Sequence, residues 1–440
     1  MPAPIGNRPT GPTPSTSSTT TDNRNTTTTT APQAPPAQGW TPKSNDKVLF
    51  VAMNNSDAHR STLESDALKA RGTNVTVVQD ARVDDTITTR DARGVATTHD
   101  LSTRAGATSF ALTLGLPAEQ TAKIADVLVN AGRDARDELA AIAQQWAVAE
   151  KGGQPPSRLV LSGHHVGYGV YGENNGRLDW PTVGALAEAM PKGARSVEDL
   201  LIAGCYSGGE SMMEKYTAMF PNAKTIVAYD GSSPGAASGA TAHQKAWELA
   251  TRGSGDGIKR EIFQGMRKGE NVTVWTRTRG FDDGKPKASL DELRSRRDSL
   301  KSGFDAAWAG GEIPDTQRGP VRDYYNSLQR LIQNPGLQGD ERKAVEAQRD
   351  QTIRLIFHPV VASKFQEVHG AKIEAGFRAV GIDPPPSFKN MTRAQALTAI
   401  ANFEAKLAAT PNPSPAATTL SGMLKDFKEL KPSLIPDTWV

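Results

Sequence analysis

The chain of 440 residues contains a single cysteine, few aromatic residues and almost no excess of charge of either sign. A single cysteine excludes an internal disulfide and a zinc knuckle, so Cys205 is either a small buried apolar residue or a reactive thiol. The formal net charge of +3 is too small, and the basic residues are too scattered, to indicate nucleic-acid binding. No apolar run approaches the length of about 18 residues that predicts a transmembrane helix, so we expect no membrane partner either.

The N-terminus, MPAPIGNRPT, lacks the basic and apolar segments of a secretory signal peptide. We therefore expect a cytoplasmic protein, with signal-independent export as the alternative. Residues 1–44 are rich in Thr, Pro, Ser and Asn, and such a segment buries too little apolar surface to offset its conformational entropy. This composition predicts a disordered tail; a mucin-like glycosylated stalk has a similar composition but would require secretion.

From Lys47 onward, short apolar runs alternate with segments of helical periodicity. Strands are predicted for the runs at 47–53, 74–80, 158–165, 197–205, 224–235 (which ends in a turn) and 271–278. Residues 81–118 are polar and predict a long irregular insertion. The alternation predicts βαβ units, and hence an α/β domain with a mainly parallel, doubly wound sheet. Ligand sites in such sheets lie beyond the carboxyl ends of the strands.

Strand patterns disappear from about residue 284 onward. Helical stretches recur at 289–308, 320–334, 340–357, 360–380 and 392–408, with Pro-rich breaks at 383–386 and 411–415. The predicted organisation is a tail (1–44), an α/β domain (45–283) and a helical C-terminal region (284–440). The helical region has no visible chemistry of its own, and its helices are candidates for binding a protein partner.

Two of the predicted strands end in reactive residues. RLVLSGH places His164 just beyond one carboxyl end, and DLLIAGC places Cys205 just beyond another. Both ends point the same way in a parallel sheet, so the two side chains can meet across neighbouring strands. A cysteine nucleophile needs such a base to form its thiolate near neutral pH. The plainer alternatives are a cysteine that only packs and a His-His pair that is incidental or a weak metal site.

These motifs resemble those of the caspase-fold cysteine peptidases. SGHH (162–165) is similar to the SGHG of metacaspases, and AGCYSGG (203–209) is similar to the Cys-x-Ser-Gly stretch of metacaspases and legumain-like peptidases. The resemblance covers about residues 45–280. It implies a caspase-like fold and a cysteine endopeptidase that acts on polypeptides, with His164 as the base and Cys205 as the nucleophile that forms an acyl-enzyme. Backbone N–H groups near Cys205 and after His164 would hold the oxyanion.

The resemblance implies no organic cofactor and no metal ligands. Some relatives have a regulatory Ca²⁺, but the sequence has no EF-hand loop. The family usually has Gly after the catalytic His, whereas this chain has His165. That departure leaves two alternatives open: His165 as the base, and a caspase-like scaffold or interaction protein without catalysis.

The P1 pocket of this family draws on the loop after the first strand and on the segment after the cysteine-bearing strand. Arg60 in the first segment would receive an acidic or amide P1 side chain, unless it is merely a solvated residue at a helix start. In the second segment, AYDGSSPG (228–235), Asp230 would favour Arg or Lys, and Ser232 and Ser233 would bond a polar side chain. Asp-Gly-Ser is also an ordinary turn sequence. The two segments predict opposite specificities, and the sequence leaves both open.

An α/β-hydrolase with a Cys nucleophile is the rival chemistry. That fold requires glycines two residues before and two residues after the nucleophile. Ala203 and Ser207 occupy those positions here, so the sequence does not fit a nucleophile elbow. His243 follows later in the chain, but its helical pattern favours a core or surface histidine.

Overall fold

The computed structural model describes residues 44–54, 60–78, 84–165, 169–172, 176–253, 257–285, 288–311, 319–356 and 358–431. The predicted disordered tail at 1–44 therefore lies outside the described residues, apart from Ser44. Within the described ranges there are twelve strands: β1 (Val48–Ala52), β2 (Val75–Val78), β3 (Thr86–Arg90), β4 (Ala96–Asp100), β5 (Arg158–Ser162), β6 (His164–His165), β7 (Gly169–Tyr171), β8 (Arg177–Asp179), β9 (Asp199–Ala203), β10 (Thr225–Tyr229), β11 (Val272–Thr276) and β12 (Gly280–Asp282).

The α-helices of the described ranges are α1 (Arg60–Ala70), α2 (Arg104–Thr113), α3 (Ala118–Asn130), α4 (Arg136–Glu150), α5 (Trp180–Ala189), α6 (Pro191–Ser196), α7 (Glu210–Met219), α8 (Ala240–Ala250), α9 (Leu290–Trp308), α10 (Pro320–Gln333), α11 (Gly339–Ile356), α12 (His358–Ala379), α13 (Arg393–Ala408) and α14 (Pro415–Lys428). Groups of strands thus alternate with groups of helices as far as β11. From α9 onward the described residues contain helices and no strand.

The central sheet has seven strands in the order β12-β11-β10-β9-β5-β1-β2. Strands β2, β1, β5, β9 and β10 run parallel, whereas β11 and β12 are antiparallel additions at one edge. The structure therefore confirms a mixed α/β architecture with a mostly parallel sheet. The chain leaves β1 toward β2 on one side and returns to β5 on the other, so the strand order reverses between β1 and β5. Ligand sites of open α/β sheets lie at such a reversal.

Strands β1, β5, β9 and β10 are buried along their whole length, because helices cover both faces of the sheet. Phe50 and Val160 belong to the core beneath α1 and α8, together with Trp247 of α8. Leu49 and Leu159, one residue earlier on the same strands, belong to the opposite core. Successive side chains of each strand thus enter different cores, which fixes the direction of every residue at the strand ends.

The prediction of an irregular insertion at 81–118 is wrong. Its described part contains the hairpin of β3 and β4, the helix α2 and the start of α3. Both hairpin strands are largely solvent-exposed and rich in Thr, so they show no alternation of apolar and polar residues. Thr103 caps α2 by accepting a hydrogen bond from the Gly106 N–H. In a segment rich in Thr and Asp, composition alone does not distinguish such a capping residue from a loop residue.

The predicted C-terminal helices are confirmed as α9 to α13, which share a separate core with α14. Phe365 and Phe427 stack within this core with ring centroids 4.6 Å apart. Helix α14 was not predicted, because its start falls in the Pro-rich break at 411–415. Ser414 accepts a hydrogen bond from the Ala417 N–H, and Pro415 occupies the first turn, where a missing N–H is harmless. The predicted limits of the domains stay a prediction.

Candidate active site

Register and alternation predict that His164 and Cys205 lie on the same face of the sheet. Strands β5 and β9 are parallel neighbours, with Ser162 opposite Ala203 at their carboxyl ends. The Ser162 hydroxyl donates to Glu64 of α1, and Ala203 belongs to the core beneath the same helix. If side chains keep alternating past the two strand ends, His164 and Cys205 are predicted to project toward the side of α1 as well.

His165 projects to the opposite side and is 2% exposed. The Trp180 indole N–H donates to its Nε2 at 3.2 Å, and its Nδ1 lies 2.8 Å from the carbonyl oxygen of Cys205. An indole only donates and a carbonyl only accepts, so the ring is neutral with its proton on Nδ1. Burial lowers the pKa of His165 to about 3. Nδ1 is engaged with the Cys205 backbone and Nε2 with Trp180, so neither nitrogen is available to act as the base.

His164 is half-buried and contacts the ends of two other strands. The Asn54 side-chain amide, which follows β1, donates to His164 Nε2 at 3.4 Å. The imidazole also packs against Tyr171 on β7, with ring centroids 5.4 Å apart. Asn54 thus orients the imidazole at the reversal point between β1 and β5.

Cys205 is half-buried, and its Sγ lies 3.4 Å from the Ser233 hydroxyl. Arg60 Nη1 donates to that hydroxyl at 2.5 Å. Lys268 Nζ donates to the Ser233 carbonyl oxygen at 3.0 Å. The structure therefore brings the predicted residues Arg60 and Ser233 next to the cysteine. It adds Lys268, which the sequence did not indicate.

Two buried cations lie close enough to interact electrostatically with Cys205. Burial opposes the charge of Arg60, but attraction to Glu64, Tyr229 and Cys205 outweighs burial and raises its pKa. Burial lowers the pKa of Lys268, and attraction to Cys205 works against that shift. Glu64 accepts from Arg60 Nε at 3.2 Å, and burial raises the pKa of this carboxyl group. Arg60 Nη2 is buried without a hydrogen-bond partner among the described residues.

The backbone around Cys205 is tightly constrained. Tyr206 has a φ of 56°, in the left-handed region that non-glycine residues rarely adopt. Its N–H donates to the Gly231 carbonyl oxygen at 2.8 Å, which removes this group from the oxyanion donors expected near Cys205. A Cβ on Gly204 would lie 2.6 Å from the Cβ of His165, so only glycine allows this approach. The oxyanion donor expected after His164 is the N–H of either His165 or Gly167, and Gly167 lies outside the described residues.

Asp230 and Ser232 contact groups other than the sulfur. Asp230 accepts a hydrogen bond from the Lys285 ammonium and lines a different cavity, and burial raises its pKa. The Ser232 hydroxyl bonds the Tyr206 side chain, and its carbonyl accepts from Asn271 Nδ2 at 3.0 Å. Of the candidate substrate-binding residues, Arg60 and Ser233 thus adjoin Cys205, whereas Ser232 and Asp230 do not.

Helix α10 of the C-terminal region packs on the loop that follows Cys205. The Tyr206 ring meets Tyr325 edge-on with centroids 5.6 Å apart, and the Tyr206 hydroxyl donates to Asn326. A Cβ on Gly209 would lie 2.2 Å from Cγ of Gln333 at the end of α10. Cys205 itself packs against the core of the C-terminal helices. The helical region is therefore part of the wall around the candidate nucleophile.

Several residues of the site gave no signal in the sequence. Lys268 precedes a tight turn in a polar segment, Trp180 opens a helix, and Glu64 reads as one of many charged helix residues. The only sequence feature that pointed to Asn54 was its position directly after the first predicted strand. The structure identifies each of these four residues through contacts between segments that are far apart along the chain.

No protein-family profile matches the chain, and no curated protein or solved structure matches it either. Among the residues that the structure describes, no group of three or more His, Cys, Asp or Glu side chains is placed to hold a metal ion. The helices of those same residues include none that is both long and apolar enough to cross a membrane.

Proposed function

We propose that the chain is a caspase-like cysteine endopeptidase. The Cys205 sulfur attacks the carbonyl carbon of a peptide bond, and His164 takes the thiol proton and passes it to the leaving amine. Water then attacks the acyl-enzyme, giving its proton to His164 and releasing the carboxyl product and the thiol. The observation that supports this proposal best is that His164 and Cys205 follow the paired ends of neighbouring parallel strands, with Arg60 and Lys268 bonded to the serine next to the sulfur.

For the substrate, the proposal favours an acidic or amide P1 side chain bound by Arg60 and Ser233. These residues adjoin the sulfur, and Arg60 Nη2 offers a buried donor that lacks a partner in the described structure. A carboxylate or amide oxygen would satisfy that donor. The contacts give less support to the alternative, a basic P1 residue bound by Asp230, because Asp230 is already paired with Lys285.

The sole cysteine makes the test direct, since any thiol adduct reports on Cys205 alone. Folded protein is incubated with peptidyl acyloxymethyl ketones that have Asp, Asn or Arg at P1, and the intact mass is measured. We expect one adduct on wild-type protein, fastest with Asp or Asn, and none on Cys205→Ala. His164→Ala should slow labelling and peptide hydrolysis by at least about a hundredfold without unfolding the chain. Equal labelling of wild type and His164→Ala would refute the role of His164.

A second candidate function is a caspase-like scaffold that binds a protein partner and does not catalyse. The packing of α10 on the Tyr206–Gly209 loop favours it, because this contact covers part of the nucleophile's surroundings. His165 in place of the usual Gly favours it as well. Under this alternative, Cys205 would react with a simple alkylating agent but not with any peptidyl ketone, and a peptide library would yield no cleavage products.

A further inference from the structure

A cavity of about 580 Å³ lies between the end of β10, the segment after β12 and the C-terminal helices. Asp230 lies at its sheet side, Arg330 and Gln333 come from α10, and Lys285 comes from the segment that joins the two halves of the chain. Neither His164 nor Cys205 lines this cavity. It is therefore a different space from the surroundings of the sulfur.

A buried carboxylate of this cavity has one oxygen without a hydrogen-bond partner among the described residues. The Asp230 side chain is 9% exposed, and its Oδ1 has no donor, although its Oδ2 accepts from Lys285. A buried carboxylate oxygen without a donor is costly, so Oδ1 indicates a hydrogen-bond donor that the cavity is shaped to receive.

The charge around the cavity favours a cation. Glu210, Asp230, Asp282 and Asp283 supply carboxylates, against the two cations Lys285 and Arg330. The ammonium group of Lys285 is paired with the Asp230 carboxylate, and the Lys285 side chain is 27% exposed. An ammonium group is a point charge, whereas a guanidinium group can donate to both oxygens of one carboxylate. A guanidinium would therefore use Oδ1 as well as Oδ2.

We propose that this cavity is a binding site for the guanidinium group of an arginine side chain, anchored by Asp230 and occupied in this structure by the chain's own Lys285. The site binds its ligand whether or not Cys205 hydrolyses peptides. Lys285 acts as an intramolecular competitor, so an incoming arginine must displace it. The apparent affinity for arginine is then the intrinsic affinity multiplied by the fraction of molecules in which Lys285 has left the site.

Binding of Nα-acetyl-arginine amide to the full chain tests the proposal. Isothermal titration at pH 8 compares wild type, Lys285→Met, Lys285→Arg and the double variant Asp230→Asn/Lys285→Met. Nα-acetyl-citrulline amide, which has the same shape without the charge, is the control ligand. Free arginine distinguishes a site for the amino acid from a site for a peptide side chain. Lys123→Met, which removes an exposed lysine of α3, controls for the loss of one positive charge.

We expect Lys285→Met to bind the arginine amide at least about tenfold more tightly than wild type, Lys123→Met or Lys285→Arg. The double variant should not bind it, and no variant should bind the citrulline amide. Free arginine should bind Lys285→Met no more tightly than the amide, because the proposed site recognises the guanidinium group that both ligands have.

Three results would overturn the proposal: no binding by Lys285→Met, equal binding of the citrulline amide, or wild-type affinity equal to that of Lys285→Met. Far-UV circular dichroism checks the fold of each variant, and Lys285→Gln replaces Lys285→Met if the latter unfolds. Peptidyl labelling of Cys205 is measured separately, so failure of the peptidase proposal leaves this result readable.

Discussion

At the scale of single residues, His164 and His165 show how one position along a strand separates two chemical roles. His164 is half-buried beside Asn54 and Tyr171, while His165 is buried with both ring nitrogens bonded. The resemblance to known peptidases left open which of them is the base. The period of two residues along a strand favours His164.

The buried neutral state of His165 predicts a pH dependence of stability. An unfolded histidine takes up a proton below about pH 6.5, whereas folded His165 does so only near its pKa of about 3. Stability from this residue is therefore complete above pH 6.5 and lost as the pH falls toward 3, at about 1.4 kcal/mol per pH unit. Urea unfolding between pH 6.5 and 4 should show a slope that is smaller by about one proton in His165→Gln. Identical slopes would contradict a neutral buried imidazole.

Glu64 holds Arg60 beside Ser233, and removing its charge should be costly. The pair is buried, with side chains 8% and 1% exposed, so Glu64→Gln leaves the guanidinium without its counter-charge. We expect a loss of about 3 kcal/mol in the free energy of unfolding. The matched control is Asp66→Asn in the same helix, whose ion pair with Lys69 is exposed and should contribute less than about 0.5 kcal/mol. Equal losses in the two variants would show that Arg60 does not depend on Glu64.

At the scale of elements, the contact between α10 and the cysteine loop joins the two halves of the chain. Tyr206 lies in the left-handed backbone region, a strained conformation that its neighbours must hold in place. Tyr325 and Asn326 of α10 contact its ring and hydroxyl. Helix α10 therefore stabilises the backbone that presents Cys205.

Loosening this contact should expose the cysteine. Tyr325→Ala removes the ring that packs on Tyr206, and we expect alkylation of Cys205 by iodoacetamide to become several-fold faster in the folded protein. Tyr324→Ala is the matched control, because its neighbouring ring packs against Phe304 inside the helical region. Both variants should lose comparable stability. If they also change the alkylation rate equally, α10 does not control access to Cys205.

At the scale of the whole molecule, the junction at 280–303 joins the sheet to the helical region. Its sequence is polar and rich in Lys, Arg and Asp, as is typical of exposed junctions that proteases cut. The resemblance to peptidases that cut themselves at such a junction implies self-processing, with Asp282, Asp283, Lys285, Lys287 and Arg294 as candidate P1 residues. The alternative is a solvated helix start that is never cut. Of the candidates, Lys287 lies outside the described residues.

The structure reduces the number of candidate cleavage sites. Asp282 is paired within β12, and Arg294 lies inside α9, where it bonds Glu341. We therefore expect new N-termini after Asp283, Lys285 or Lys287 in wild-type protein and none in Cys205→Ala, as mapped by mass spectrometry after side-by-side incubation. A cut after Asp283 would support Arg60 as the P1 pocket, whereas a cut after a lysine would contradict the preference for Arg60 over Asp230 that the contacts around Cys205 indicate. Identical patterns in both proteins, or no cut in either, would contradict self-processing without excluding cleavage of other proteins.

The sequence by itself determined the parts of this protein that depend on local periodicity. The buried strands, most of the helices, and the position of His164 and Cys205 just beyond strand ends follow from apolar runs and their stop signals. The exposed hairpin of β3 and β4 and the start of α14 escaped prediction, because neither has a long apolar pattern.

The tertiary structure alone decided which distant residues meet. Strand order placed Asn54 beside His164, and packing brought Lys268 and Arg60 to Ser233. It also paired Asp230 with Lys285, in a cavity apart from the sulfur. The physical reason is that charge and hydrogen-bond partners are selected by distance in space, and a sequence records only the distance along the chain.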